Sequence, residues 1–229
     1  MKQPLDRSFN TGLALIGTLA VALITLLLLL LAGRLSYWQG WVFAGVNEAL
    51  VITMAALFST ESRAIRERMR FTAASIWWDR LFLALFMPAN LAVVVLAVLD
   101  AGRMHIGPEP PPYLYPLCYL VYMGAAYLHL RAVSSNNFYV GAVSVKEGQH
   151  VSDRGPYRWV RHPGYAGIIL MMPCIALVLG SFVALIPAGI IALLVVGRTA
   201  LEDRLLRNEL EGYTEYADRV RYRLIPWIW

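Results

Sequence analysis

Two short polar stretches carry the chemistry available to this chain. In the first, Arg161-His162-Pro163-Gly164-Tyr165, a permanent cation and an imidazole stand immediately before a proline. Proline biases the residue before it towards extended backbone and itself favours the first helical position, so Arg161 and His162 should project just outside a helix that begins near Pro163. The amides of Gly164, Tyr165 and Ala166 then lie at the positive end of that helix, and with Arg161 beside them they would attract a carboxylate or phosphate. The second stretch runs from Arg198 to Leu210 and contains Glu202 and Asp203. Its apolar positions 201, 205, 206 and 210 have helical spacing, which predicts an amphipathic helix whose charged side faces a cavity or water. Each stretch also has a plain structural reading. The first can be an interfacial anchor that touches lipid phosphates, and the second a solvated face with Arg198 paired to Glu202 and Asp203 paired to Arg207 four residues on.

The elements that would position these residues are apolar spans. With 59% hydrophobic residues, 15% charged and a mean hydropathy of +0.56, the 229-residue chain lies outside the range of a soluble domain or a disordered one. Two cysteines exclude a disulfide-built module, and Cys118 and Cys174, within apolar spans, read as small buried hydrophobes. The four histidines, His105, His129, His150 and His162, show no metal-ligand spacing, so no metal is assigned. Apolar runs fall at about 12 to 32, 41 to 59, 80 to 99 and 113 to 130. The first is long enough, at roughly 31 Å, to cross a hydrocarbon core, and too long for the apolar core of a signal peptide. A last apolar region, 164 to 197, is divided at Gly180-Ser181 and predicts a hairpin of two short helices, with Pro173 and Pro187 inviting kinks.

The expected fold is therefore all-α and integral to the membrane: about four spanning helices, a C-terminal hairpin of two short helices, and a cytosolic amphipathic C-terminal helix. It reads as a single membrane domain, 1–229, with spanning helices in 1–133 and the polar loop, hairpin and tail in 134–229. With the N-terminus inside, Arg34 and Arg103 face outward, and the other eighteen of the twenty basic residues, among them Lys2, Arg63, Arg66, Arg68 and Arg70, lie at cytosolic ends or loops. That asymmetry places both termini in the cytosol. It also accounts for the net charge of +5 without nucleic acid. The hairpin would return Glu202 and Asp203 to the same membrane face as Arg161 and His162. Glu48 and Asn47 in the second span and His129 in the fourth are costly unless they face a cavity or a partner. They either line a tunnel or make structural contacts, Glu48 with His129 or with backbone.

The ordered motifs of the C-terminal half resemble the isoprenylcysteine carboxyl methyltransferase family, related to the membrane phospholipid methyltransferases. The resemblance rests on Asn137-Phe138, Gly148-Gln149-His150-Val151, Gly155-Pro156-Tyr157, and Val160-Arg161-His162-Pro163-Gly164-Tyr165-Ala166-Gly167. After the hairpin come Leu201-Glu202-Asp203 with Leu205, Gly212-Tyr213, Tyr216, and Arg223-Leu224-Ile225-Pro226. The family often has two adjacent glutamates where this chain has Glu202-Asp203. The Gly-x-Gly signature of the phospholipid branch is missing, and the fourth span has Gly124-Ala125-Ala126, which argues against a phosphatidylethanolamine substrate.

The resemblance implies methyl transfer from S-adenosylmethionine, with membrane lipids around the protein and a lipophilic or amphipathic acceptor, an isoprenylcysteine-type carboxylate or a thiol. It implies Arg161 and Glu202 as catalytic residues, and Gln149, Tyr157, His162, Pro163, Gly164, Tyr165, Gly167, Glu202 and Asp203 as cofactor-binding residues. No Gly-x-Gly-x-x-Gly is present, so a Rossmann site is not on offer. A membrane NADPH-dependent reductase of the steroid reductase kind shares a similar Arg-His-Pro-x-Tyr run, but would more typically carry Asn at 164 and an acid soon after Tyr165. A third reading is a non-catalytic membrane protein of the same fold.

Overall fold

A computed structural model of the chain describes residues 7–57, 76–136, 138, 143 and 148–229. Lys2, Arg63, Arg66, Arg68, Arg70 and Asn137 lie outside the described residues. The helices are α1 (Arg7–Ala32), α2 (Trp38–Leu57), α3 (Trp77–Leu99), α4 (Leu114–Ser135), α5 (Pro163–Val178), α6 (Leu185–Glu209) and α7 (Tyr213–Arg219). A π-helical turn, Asp100–Met104, continues α3, and a 3₁₀ turn, Gly155–Arg158, precedes α5. No strand occurs among the described residues.

Three helical segments are long and apolar enough to cross a membrane: Ala14–Ala32, Trp77–Met104 and Leu185–Glu209. Their outward faces carry large apolar side chains such as Leu15, Leu91 and Leu193, the last 75% exposed, whereas Val93, Ala97, Ile191 and Val195 are completely buried between helices. That pattern suits lipid outside and close helix packing inside. The hairpin differs from its expected form. Its first arm, α5, has 16 residues, but the second arm and the amphipathic stretch are one helix, α6, of 25 residues. The reason is local: 185–209 holds no residue that must break a helix, because Pro187 falls in the first turn, where a missing N–H costs nothing. Of the two hairpin prolines, only Pro173 sits inside its helix. The short C-terminal α7 is a separate helix of 7 residues.

Two contacts fix α5, and with it the Arg161-His162 rim. A Cβ on Gly167 would meet the Ala125 carbonyl oxygen at 2.9 Å and the His129 Cβ at 3.1 Å, so the two helices touch only because this residue has no side chain. His129 Nδ1 donates to the carbonyl of Gly164 across 3.1 Å, tying the first turn of α5 to α4. Gly167→Val should therefore lower stability by about 1–3 kcal/mol, a shift read directly by thermal unfolding in detergent. At the opposite end of the hairpin, Gly180 turns with φ +94. Next to it, buried Ser181 donates to Asp100 across 2.6 Å, while Asp100 accepts the amides of Ile106 and Gly107. Thr18 donates to Glu48 (2.6 Å), and Tyr122 donates to Asn47 (2.8 Å). Of the alternatives open for Glu48, a contact with His129 is replaced by the bond from Thr18, while His129 is turned to α5.

Candidate functional site

At the α5 N-terminus the backbone leaves the 3₁₀ turn, passes through His162 at φ −126 and ψ 61, outside the helical region that a following proline disfavours, and enters the helix at Pro163. Arg161 is then buried, 5% exposed, and Asp203 of α6 lies opposite it with no exposure at all. Arg161 Nε and Nη2 donate to the two Asp203 oxygens at 2.7 and 3.2 Å. Its Nη1 faces the carbonyl oxygens of Ala217 (3.4 Å), Val220 (2.7 Å) and Arg221 (3.0 Å). Asp203 also accepts from Tyr213 Oη and Arg223 Nε, each at 2.9 Å, with Arg207 Nε at 3.5 Å and His162 Nε2 at 3.6 Å. One buried carboxylate thus gathers α5, α6, α7 and the tail. Burial, and then the charge of Asp203, push the Tyr213 phenol up, so it remains a protonated donor to Asp203.

The tail also pairs with the rim through backbone. The Arg161 amide donates to the Tyr222 carbonyl and the His162 amide to the Arg223 carbonyl, both at 2.9 Å. The Tyr165 and Ala166 amides donate to the carbonyl of His162 at 3.1 Å each. These bonds correct the expected trio of open donors. The helix closes its own first turn, and of the three amides Gly164 is left at the cavity wall.

On the other side of Arg161 and His162 lies a cavity with about 800 Å³ of empty space, part of it open to solvent. Its polar wall includes Gln149, Tyr157, Arg161, His162, Gly164, Tyr165, Glu202 and Tyr213, and its apolar wall includes Phe138, Val143, Val151, Leu206 and Leu210. Tyr165 donates its hydroxyl to Glu202, and its ring lies nearly parallel to that of His162, 4° apart in plane with centroids at 5.7 Å. Seven of the residues expected at the site therefore meet here: Arg161, Glu202, Gln149, Tyr157, His162, Gly164 and Tyr165.

Three others stand behind the wall. Pro163 starts α5, Gly167 lets α4 and α5 touch, and Asp203 neutralises Arg161. Asp203 does approach Arg207 as the four-residue spacing suggests, but Arg161 and Arg223 are closer. Arg198 is buried and pairs with Asp79 at the start of α3 (2.8 Å), over the Phe82 ring at 4.4 Å, while Asp79 also accepts the Val143 amide at 2.8 Å. The roles of Tyr213, Arg223 and Asp79 were not singled out from the residues. The available signals were an acid opening a long apolar helix at Asp79, and the Gly212-Tyr213 and Arg223 motifs, which follow a glycine at φ +76. Among the described residues no group of three His, Cys, Asp or Glu is placed to hold a metal ion.

Apolar helices long enough to span a bilayer, with a polar cavity assembled at their ends from a loop, a hairpin and a tail, support a multi-pass membrane protein. Residues 117–208 match the model of the isoprenylcysteine carboxyl methyltransferase (ICMT) family, the family that the ordered motifs resemble. The matched stretch runs from α4 to the end of α6 and contains Arg161, His162, Glu202 and Asp203. No curated protein matches the chain.

Proposed function

We propose that the cavity binds S-adenosylmethionine and that the protein transfers its methyl group to a lipophilic or amphipathic acceptor. The observation that carries this reading is the Glu202–Tyr165–His162 group at one wall of a cavity that is apolar on the other.

The donor set fits the group. Glu202 accepts from ribose hydroxyls or an ammonium, Gly164 offers an amide at a helix start, and the Tyr165 and Tyr157 rings present faces to a sulfonium or an adenine, each such contact worth about 1 kcal/mol. S-adenosylmethionine supplies a methyl group already activated by its sulfonium. What remains for the protein is alignment, exclusion of water and holding the acceptor unprotonated. Arg161 serves this by position. Its nitrogens are spent on Asp203 and three carbonyls, so its part is to hold α5, α6 and the tail in register around the cavity, and orientation of a carboxylate falls to His162 and Gly164.

We read α2 and α4, at 20 and 22 residues, as forming with α1 and α3 the set of four spans, with α5 and α6 as the hairpin beside them and the cavity and both termini on the cytosolic side. The acceptor then reaches the cavity from the bilayer side. A prenyl-like chain gains about 0.8 kcal/mol for each methylene moved out of water, and because that gain is made on entering the bilayer, turnover should follow acceptor concentration per lipid. In liposomes, a chain-length series of S-alkylated or S-prenylated thiol acids should be methylated faster as the chain grows. Equal turnover of small water-soluble acceptors, with no gain on lengthening, would point to a soluble nucleophile.

A further inference from the structure

The segment after α7 is built more firmly than a trailing end needs to be, and it displays what it should hide. Residues 219–229 read Arg-Val-Arg-Tyr-Arg-Leu-Ile-Pro-Trp-Ile-Trp, with three arginines and no acid. The backbone is pinned at Tyr222 and Arg223 by the rim amides, Leu224 is buried, and the amides of Arg223, Leu224 and Ile225 all converge on the carbonyl of Trp229 at 2.9–3.3 Å. This closes a turn in which Trp227 takes φ +64, a left-handed conformation rarely tolerated by a bulky residue. The result of that turn is exposure: Trp227 is 86% and Ile228 76% accessible, with Trp159 at 74% on the segment before the rim. Beside the turn, Arg207, Arg221 and Arg223 line a shallow groove with Asp218. Arg223 is committed to Asp203, Arg207 only approaches it, and Arg221 has no ion pair among the described residues.

Depth identifies the occupant. Arg198 pairs with Asp79 where α3 begins, and Asp203 lies five residues further along α6, about 7.5 Å. The tail held at Asp203 is therefore level with the headgroup layer of a bilayer whose apolar core ends near Asp79. Exposed tryptophan and isoleucine beside an arginine groove at that depth match an anionic leaflet in both chemistry and charge.

We propose that residues 219–229 seat on anionic phospholipid of the cytosolic leaflet, with Arg221 and Arg207 on the headgroup phosphate and Trp227 and Ile228 at the acyl boundary, and that this seating holds the Arg161-His162 backbone at the cavity. The second half rests on the reading of the cavity as the S-adenosylmethionine site; the first half does not.

The test uses the full chain in nanodiscs of phosphatidylcholine, alone or mixed with phosphatidylglycerol. An environment-sensitive dye on Ile228→Cys, with Cys118 and Cys174 buried, should be quenched by lipids brominated in the acyl chain. Retention of phosphatidylglycerol through purification should fall about fivefold for each of Arg221→Gln and Arg207→Gln. Binding of labelled S-adenosylmethionine should weaken on removing phosphatidylglycerol and in Trp227→Ser. A dye that stays unquenched, or lipid retention indifferent to both arginines, overturns the seating. Quenching and retention as expected with S-adenosylmethionine affinity unmoved overturns the coupling. No S-adenosylmethionine binding in any disc refutes the cofactor reading, while quenching and retention still decide the seating.

Discussion

Asp203→Asn should unfold the proposed cofactor site, with a loss of about 3–5 kcal/mol in stability and no measurable S-adenosylmethionine binding at concentrations that saturate the parent protein. The change keeps shape and removes one charge. Asp203 is completely buried and meets Arg161 at 2.7 Å, Arg223 at 2.9 Å and Arg207 at 3.5 Å. Without the carboxylate, the buried guanidinium of Arg161 is left unneutralised beside two more. Asp203→Glu keeps the charge but must fit an extra methylene into a site with no exposure, so it should fall between the two. Arg161→Lys separates the positional role from a direct one. A lysine cannot reproduce two bonds to Asp203 and three contacts to the tail carbonyls, so stability and binding should fall together. Thermal unfolding in detergent, run beside equilibrium binding, reads both quantities. Weakened binding with unchanged stability in Arg161→Lys would return that residue to direct contact with ligand.

Glu202→Gln makes the opposite pattern. Glu202 is half-buried at the cavity wall and accepts from the Tyr165 hydroxyl, a bond that glutamine can still take. Stability should stay within about 0.5 kcal/mol of the parent, as for substitutions away from buried networks. Affinity for S-adenosylmethionine should drop at least about tenfold, or about 1.4 kcal/mol, a modest figure for one charge-assisted hydrogen bond. His162→Ala should lose a similar amount through its lost stacking on Tyr165 and its lost ring nitrogens at the wall. Unchanged affinity in both variants would remove the site from this wall of the cavity.

The elements of this fold were legible where one physical rule dominated. Proline before a helix placed the start of α5 at Pro163, and apolar length placed α1, α3 and the hairpin, because neither depends on a distant partner. Partnership across the chain was not legible. The four-residue spacing of Asp203 and Arg207 names a true neighbour, but the stronger partner of Asp203 is 42 residues away, and no local pattern distinguishes an arginine that binds ligand from one that binds the fold. Arg198 shows the same limit: its spacing to Glu202 suggests a surface pair, and the tertiary structure buries it against Asp79. Gly167 read as part of a binding motif, whereas its lack of a side chain serves helix contact. The length of α6 was missed because the change from apolar to charged sequence near Arg198 marks a change of surroundings and leaves the helix unbroken.

The central claim is that the cavity between the Arg161-His162 rim and Glu202 is an S-adenosylmethionine site. Equilibrium binding of labelled S-adenosylmethionine and of NADPH to the same purified protein in detergent tests it most directly. The account predicts saturable, micromolar-range binding of S-adenosylmethionine that is weakened by Glu202→Gln, and no competition by NADPH. Saturable NADPH binding that Glu202→Gln impairs, with none of S-adenosylmethionine, would contradict it and assign the cavity to a reductase.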